Sequence, residues 1–274
     1  MDILQAIVLG IVQGLGEFLP ISSTAHLVLV PYLTGWQDPG LSFDVALHIG
    51  TLVAVVGYFW RDWIIIISNF KFQISNKFRN SNYQIQNGMQ YPQQLLWLLI
   101  IASVPGAVAG YLLEDAAETS LRNPLLIAGT LSIVGLILYL VDRYAVHKKE
   151  MDAITIKDSI IIGISQAIAI IPGVSRSGAT MTTGLALGLS RETAARFSFL
   201  LSTPIIFGAA LVKIPDLLKG GIDAAMIFGI FAAAISGYLA IKYMLRFIQK
   251  VGYAPFFWYR LVLASIIVVV YFLQ

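Results

Sequence analysis

The stretch Pro172-Gly-Val-Ser-Arg-Ser-Gly-Ala-Thr180 decides how the rest of the chain is interpreted. It lies between two apolar runs, 160–171 and 181–189. An arginine inside such a run is costly in a membrane and therefore indicates a functional site. Proline and glycine interrupt a helix, and the Ser, Arg and Thr side chains donate hydrogen bonds to an anion. The stretch predicts an oxyanion site set into a membrane protein.

The composition of the 274-residue chain favours a membrane protein. Hydrophobic residues make up 58% and charged residues 12%, whereas soluble domains have about 25% charged residues. The net charge is only +3 and the basic residues lie between apolar runs, so no nucleic-acid partner is expected. The chain has no cysteine, which excludes disulfides and thiolate chemistry, and three histidines are too few for a histidine-rich metal centre.

Two pairs of short apolar segments predict re-entrant helical hairpins. The first pair is 3–19 and 25–34, and the second is 159–171 and 179–189. Each half is shorter than the roughly 20 residues that cross a membrane. Because non-helical backbone at that depth is tolerated only inside protein or beside a wet cavity, both breaks are expected to line one.

Three long apolar runs come after each hairpin and predict six membrane-spanning helices. They are 43–60, 94–113 and 121–141, then 192–212, 224–247 and 255–273. The polar stretch 61–93 is predicted to be a connector without regular structure, with a segment lying on the membrane surface as the alternative.

The two halves of the chain repeat one another. An offset of 153 residues superimposes three pairs of identical residues, which are Gly10 with Gly163, Gln13 with Gln166, and Ser22 with Ser175. The same offset sets Ser23 opposite Arg176 and Thr24 opposite Ser177. Three spans separate the hairpins, so the second hairpin enters from the opposite face, as in an inverted-topology repeat with its site near the midplane. We expect one all-α polytopic membrane domain over 1–274, with repeat 1 at about 1–142 and repeat 2 at about 158–274.

The basic residues predict the orientation. Most of them lie in the loops after the first, third and fifth long runs, and Arg196 and Arg260 are counted as residues of these loops. The acidic stretch 114–118 lies on the other side of the membrane. By the positive-inside rule the basic side is cytoplasmic. Both termini and the mouth of the first hairpin are therefore expected to face outside.

The first hairpin carries candidate catalytic groups. Gln13 and Glu17 are four residues apart and share a helix face. A helix N-cap explains one of the nearby hydroxyls, but not a carboxylate, an imidazole and three hydroxyls together; these are Glu17, Ser22, Ser23, Thr24 and His26. Glu17 has a structural alternative, an ion pair with Arg176. Asp44 and His48 are also four residues apart. We expect Asp44 to lie at the membrane interface and His48 to pack between helices, without a catalytic role.

The second hairpin carries a candidate anion clamp. Arg176 offers five donors in a fork suited to phosphate oxygens, and a helix start adds backbone N–H groups. Ser175 and Ser177 have an alternative role as caps of a helix that begins near Gly178. If the repeats meet, Arg176, its serines and Thr180 face the nucleophile and acid/base groups of the first hairpin.

These residues resemble a known family, undecaprenyl-diphosphate phosphatase of the bacitracin-resistance type. Gln13-Gly-Leu-Gly-Glu17 is similar to its (E/Q)xxxE motif, and the sequence from Glu17 to Leu27 is similar to the family's residues on the C-terminal side of that motif. The stretch from Pro172 to Thr180 is similar to its PGxSRSxxT motif. The resemblance covers the whole chain, although Gln13 leaves a single carboxylate in the first motif.

The resemblance implies a multi-pass hydrolase of the bacterial cytoplasmic membrane that converts undecaprenyl diphosphate to the monophosphate and phosphate. This would recycle the lipid carrier of peptidoglycan and other wall polymers. Excess enzyme would confer resistance to bacitracin, which sequesters the diphosphate. No organic cofactor is implied, and homodimer formation is left open.

We expect a covalent mechanism. Ser23 attacks the terminal phosphorus after Glu17 or His26 takes its proton, and His26 as nucleophile is the alternative. Gln13 and Glu17 are candidate ligands of a divalent cation, Mg²⁺ or Ca²⁺. The phosphate-binding residues are expected to be Ser22, Thr24, Ser175, Ser177 and Thr180, together with Arg176.

Two other classes of protein compete with this hypothesis. Inverted repeats with broken helices are typical of carriers, so a polyprenyl-phosphate transporter could use the same anion site. A membrane scaffold would leave Arg176 and Glu17 without a role.

Overall fold

The computed structural model describes residues 1–74, 90–113, 121, 123–221 and 223–273. These residues form eleven α-helices: α1 (Ile3–Phe18), α2 (Ser23–Thr34), α3 (Leu41–Tyr58), α4 (Trp60–Ile74), α5 (Leu95–Leu112), α6 (Pro124–Tyr144), α7 (Ile156–Ile168), α8 (Arg176–Ala186), α9 (Arg191–Gly220), α10 (Ala224–Val251) and α11 (Ala254–Leu273). Five of them, α5, α6, α9, α10 and α11, are long and apolar enough to cross a membrane. The pair α3 and α4, bent by 74°, makes a sixth span if it is counted as one. The prediction of an all-α integral membrane protein is confirmed.

The prediction for the connector 61–93 is wrong in its first part, because α4 continues to Ile74. Its buried face consists of Asp62, Ile66 and Asn69, which recur at helical spacing. The hydroxyl of Tyr91 donates to Asp62 Oδ1 at 2.9 Å and ties the far end of the connector to this face. Residues 75–89 of the connector, the acidic stretch 114–118 and Arg122 lie outside the described residues.

Both predicted hairpins are present as pairs of short helices. The helices α1 and α2 flank a break at 19–22, and α7 and α8 flank a break at 169–175. The second break ends earlier than the sequence predicts, because α8 begins at Arg176 itself. The sharp return in the first hairpin requires Gly16, where an added Cβ would lie 2.8 Å from the Cα of Ser23.

The packing of the helices favours two equivalent repeats. The helix α1 packs along α10, and its counterpart α7 packs along α5. A Cβ on Gly10 would lie 2.3 Å from the carbonyl O of Gly229, and one on Gly163 would lie 2.5 Å from that of Ala102. Glycine at these two equivalent positions lets equivalent helix pairs approach backbone to backbone.

Two arginines counted as loop residues lie inside helices. Arg196 is on α9 and Arg260 is on α11, and their side chains are buried. Arg260 has 0% exposure, because α11 begins at Ala254 and carries it into the protein. These two residues therefore do not support the predicted orientation.

Candidate active site

A cavity of about 230 Å³ lies where the two hairpin breaks meet. This is smaller than the roughly 300–1,000 Å³ typical of a site for a drug-sized ligand, so it suits a small polar group. Its polar wall consists of Glu17, Ser22, Ser23, Thr24, His48, Ser175, Arg176 and Ser177. Val45, Ile205 and Ile206 contribute to its apolar wall.

Glu17 is the centre of the polar wall. Its side chain is 7% exposed, and Arg176 Nη2 donates to Oε1 at 2.7 Å. Ser23 Oγ donates to Oε2 at 2.9 Å, and Gln13 Nε2 donates to the same oxygen at 3.1 Å. One buried carboxylate thus joins the predicted nucleophile of one repeat to the predicted anion clamp of the other.

Arg176 is held from behind by α9. Its Nη1 donates to the carbonyl O of Ser198 at 2.8 Å. Thr180 lies behind the arginine as well: its hydroxyl donates to the carbonyl O of Arg176 at 2.9 Å and lies 2.7 Å from Ser198 Oγ. Thr180 is not part of the cavity wall, so the structure gives it a supporting position rather than contact with a phosphate.

The N-termini of α2 and α8 both face the cavity. Ser22 and Ser175 precede them with φ of 72°, the only non-glycine residues with positive φ among those described. Such a conformation costs about 1–3 kcal/mol and is concentrated at functional sites. Both serines cap their helices, and Ser175 Oγ accepts from the N–H of Gly178 at 3.1 Å. Ser177 Oγ, on the first turn of α8, donates to the carbonyl O of Leu19 and joins this helix to the first break.

His26 lies beside the cavity but has partners on both ring nitrogens. Nδ1 donates to the carbonyl O of Ser22 at 2.7 Å, since a carbonyl only accepts. Nε2 lies 2.7 Å from the hydroxyl of Tyr259, whose ring stacks on the imidazole. The ring is absent from the cavity wall, so a role as nucleophile would require it to leave Tyr259.

His48 is a site residue that the sequence interpretation assigned to packing. It lines the cavity, and its Nε2 lies 3.5 Å from Glu17 Oε2. Asp44, expected at the membrane interface, is buried, and its carbonyl O accepts from His48 Nδ1. The signal was the occurrence of an aspartate and a histidine four residues apart inside an apolar run.

Arg260 is a second residue that was missed. Its guanidinium donates to five backbone carbonyls, and all the partners that the structure shows for it are of this kind. One carbonyl belongs to Pro20 in the first break and two belong to Gly173 and Val174 in the second. The charge therefore links both breaks directly behind the cavity. Its position within an apolar run was the available signal.

The donors available for a metal ion are few. Among the described residues no group of three or more His, Cys, Asp or Glu side chains forms a metal cluster. Gln13 Oε1 is buried without a hydrogen-bond partner, next to Glu17. A cation held by these two side chains would take further ligands from phosphate oxygens, as Mg²⁺ commonly does, so the residues fit that arrangement.

Fold and site together define a polytopic membrane protein with a buried carboxylate, serine and arginine at the junction of two re-entrant hairpins. The family model described as "Bacitracin resistance protein BacA" matches residues 6–266, and the chain belongs to this family.

Curated relatives extend over the full length of the chain. A protein of Moorella thermoacetica is 53% identical over 274 residues, 100% of both chains. A protein of Pelotomaculum thermopropionicum is 51% identical over 269 residues, 98% of this chain and 97% of the relative. One from Desulforudis audaxviator is 46% identical over 274 residues, again 100% of both. Each of the three bears the name undecaprenyl-diphosphatase.

Proposed function

We propose that this chain hydrolyses undecaprenyl diphosphate to undecaprenyl phosphate and phosphate in the bacterial cytoplasmic membrane. Membership of the family and the names of the full-length relatives support the reaction and the substrate. The observation that carries the proposal is the single carboxylate of Glu17, which binds both Ser23 and Arg176. The reaction returns the lipid carrier to cell-wall synthesis.

Arg176 and the hydroxyl groups of the polar wall bind the diphosphate. Arg176 exchanges Glu17 for phosphate oxygens, because its planar fork matches them. Ser22, Thr24, Ser175 and Ser177 lie at two helix N-termini, where free N–H groups and the helix dipole favour an anion. The small volume admits the headgroup, and the prenyl tail lies in lipid or in a groove between the spans.

Glu17 and Ser23 carry out the chemistry. Glu17 Oε2 accepts the proton of Ser23 Oγ from 2.9 Å as the oxygen attacks the terminal phosphorus. A bond forms between that oxygen and phosphorus, and the bond from phosphorus to the bridging oxygen breaks, so undecaprenyl phosphate leaves. Water then attacks the phosphoserine and releases phosphate. Removal of the proton by His26, or attack by His26, is the competing scheme.

A divalent cation belongs to the proposal. Gln13 and Glu17 would hold Mg²⁺ or Ca²⁺, and the ion would neutralise phosphate charge when bound. The unpaired Gln13 Oε1 supports this assignment. Loss of activity in a chelator, with recovery on adding Mg²⁺ or Ca²⁺, tests it.

The orientation and the partners are proposed as well. The cavity opens to the outer face, with both termini outside, and an excess of the protein protects against bacitracin by consuming the diphosphate that the antibiotic sequesters. We also propose a homodimer, which light scattering of the detergent-solubilised protein tests.

Phosphate release by the purified protein tests the function. Wild-type protein in detergent should release phosphate from undecaprenyl diphosphate, and Ser23→Ala and Arg176→Ala should abolish the release. The transporter hypothesis predicts the opposite pattern in vesicles, with lipid crossing the bilayer and no phosphate released. That result would overturn the assignment as a hydrolase.

A further inference from the structure

His48 approaches Glu17 from a third helix, α3. Its Nδ1 donates to the carbonyl O of Asp44 at 2.7 Å, which fixes the ring on its own helix. Nε2 then faces the carboxylate, 3.5 Å from Oε2. The direction of the ring is therefore set by α3 and not by the carboxylate that it faces.

The other partners of Glu17 change during the reaction. Arg176 Nη2 donates to Oε1 and Ser23 Oγ donates to Oε2 in the structure. In the proposed mechanism Arg176 turns to the diphosphate and Ser23 gives up its proton, so both contacts are lost. Gln13 and His48 are the described side chains that remain against the carboxylate.

Gln13 by itself would attach the carboxylate of Glu17 to a single helix. It lies four residues before Glu17 on α1 and moves with the same helix. His48 belongs to α3 and relates the carboxylate to a second helix of the cavity wall. A base that must stay within hydrogen-bond distance of Ser23 needs such a second point of attachment.

We infer that His48 is a positioning residue for the proposed base: Nε2 holds Glu17 Oε2 toward Ser23 while Arg176 binds the diphosphate. The inference rests on the proposed use of Glu17 as base. Because Nδ1 already donates to the carbonyl O of Asp44, Nε2 carries a hydrogen only when both ring nitrogens are protonated, so the inference requires the imidazolium form of His48. Another side chain with a donor at the place of Nε2 would serve equally well.

Two amides of different length test this requirement. The nitrogen of the side-chain amide in His48→Gln reaches about as far as Nε2, whereas the amide in His48→Asn is one methylene shorter. We expect His48→Asn to lower kcat roughly 10–100-fold, the size of effect seen when a supporting hydrogen bond is lost. KM should stay unchanged, because His48 does not hold the phosphates. His48→Gln should keep kcat near that of the wild type.

His147→Gln is the matched control. Its ring binds the carbonyl O of Asp142 and does not line the cavity, so wild-type kcat is expected. Thermal unfolding in detergent shows that each variant is folded. If His48→Asn does not fold, His48→Ala provides the same comparison and should show the same drop.

Two results would overturn the inference. Wild-type kcat in His48→Asn, or in His48→Ala where it replaces that variant, would show that Glu17 needs no support from α3. A His48→Gln enzyme as slow as His48→Asn would show that the ring itself takes part in the chemistry. Failure of the proposed function is distinguishable, because the wild type and His147→Gln would then release no phosphate.

Discussion

The ion pair between Glu17 and Arg176 connects the two hairpins, and removing either charge should destabilise the fold. The perturbations are Glu17→Gln, Arg176→Gln and the double substitution. Both side chains are largely shielded, with 7% exposure for Glu17 and 14% for Arg176. Removing one partner of a buried pair costs about 3–5 kcal/mol, because the other charge stays buried without its partner.

The remaining contacts set where each variant falls in that range. After Arg176→Gln, the carboxylate keeps Ser23 and Gln13 as donors, so we expect a loss of about 3 kcal/mol. After Glu17→Gln, the guanidinium keeps the carbonyl O of Ser198, so about 4 kcal/mol is expected. The double variant removes both charges of the pair, so neither is left without its partner. Its loss should therefore be smaller than the sum of the two single losses by a coupling energy of about 3 kcal/mol, which gives a loss of about 4 kcal/mol.

Thermal unfolding in detergent measures these losses. For a chain of this size 1 kcal/mol shifts Tm by about 2–4 °C, so each single variant should lose at least about 6 °C. Arg143→Gln is a control, because Arg143 is exposed at the end of α6 and should change stability by less than about 0.5 kcal/mol. Single variants with the Tm of the wild type, or a double variant whose loss of stability equals the sum of the two single losses, would refute the reasoning.

Three further predictions concern other parts of the chain. Arg260→Met should lower the free energy of unfolding by about 4 kcal/mol and abolish the phosphatase activity, since buried carbonyls left without a donor cost about 1–3 kcal/mol each. The control is Arg246→Met at an exposed position, which should leave Tm and activity unchanged. Gly163→Ala should lose roughly 1–3 kcal/mol in a thermal melt through overpacking, whereas Gly208→Ala, with nothing within 4 Å of the added Cβ, should not. Asp158→Asn should lower Tm at pH 7, and the difference from wild type should shrink as the pH falls below about 4 and vanish once the pH is below the lowered folded pKa of Asp158; a difference that stays constant from pH 7 into that range would contradict this.

The pH dependence expected for Asp158 arises from the cap of α7. Burial would raise the pKa of Asp158, but hydrogen bonds from Lys149 and Thr155 hold it below its ordinary value. A carboxyl with a lowered pKa in the folded state stabilises the fold above its unfolded pKa. That contribution is lost as the pH falls through the folded value.

Hydropathy predicted most of the fold. A spanning helix in lipid must satisfy its own backbone and present apolar side chains, so the spans and both hairpins could be found from composition and length. Helix α4 was not predicted because its buried face includes the polar residues Asp62 and Asn69 beside Ile66, while the apolar residues Ile64 and Ile67 are exposed. These residues recur at helical spacing, but only the packing of the folded protein shows that two polar residues belong to the buried face.

The site was predictable where burial itself was the signal. Glu17, Ser23 and Arg176 stand out because polar groups are expensive inside apolar segments. The role of Arg260 was not predicted because its partners are backbone carbonyls, and no side chain in the sequence indicates where those carbonyls lie. His48 escaped because only the tertiary fold brings α3 to the carboxylate of Glu17.

Trapping the phosphorylated enzyme tests the central claim most directly. Undecaprenyl diphosphate labelled at the terminal phosphate is mixed with the enzyme and quenched within one turnover, in acid and in alkali because phosphohistidine does not survive acid. We predict label on Ser23 in peptide mass spectrometry, and none in Ser23→Ala. Label on His26, or wild-type turnover by Ser23→Ala, would contradict the account.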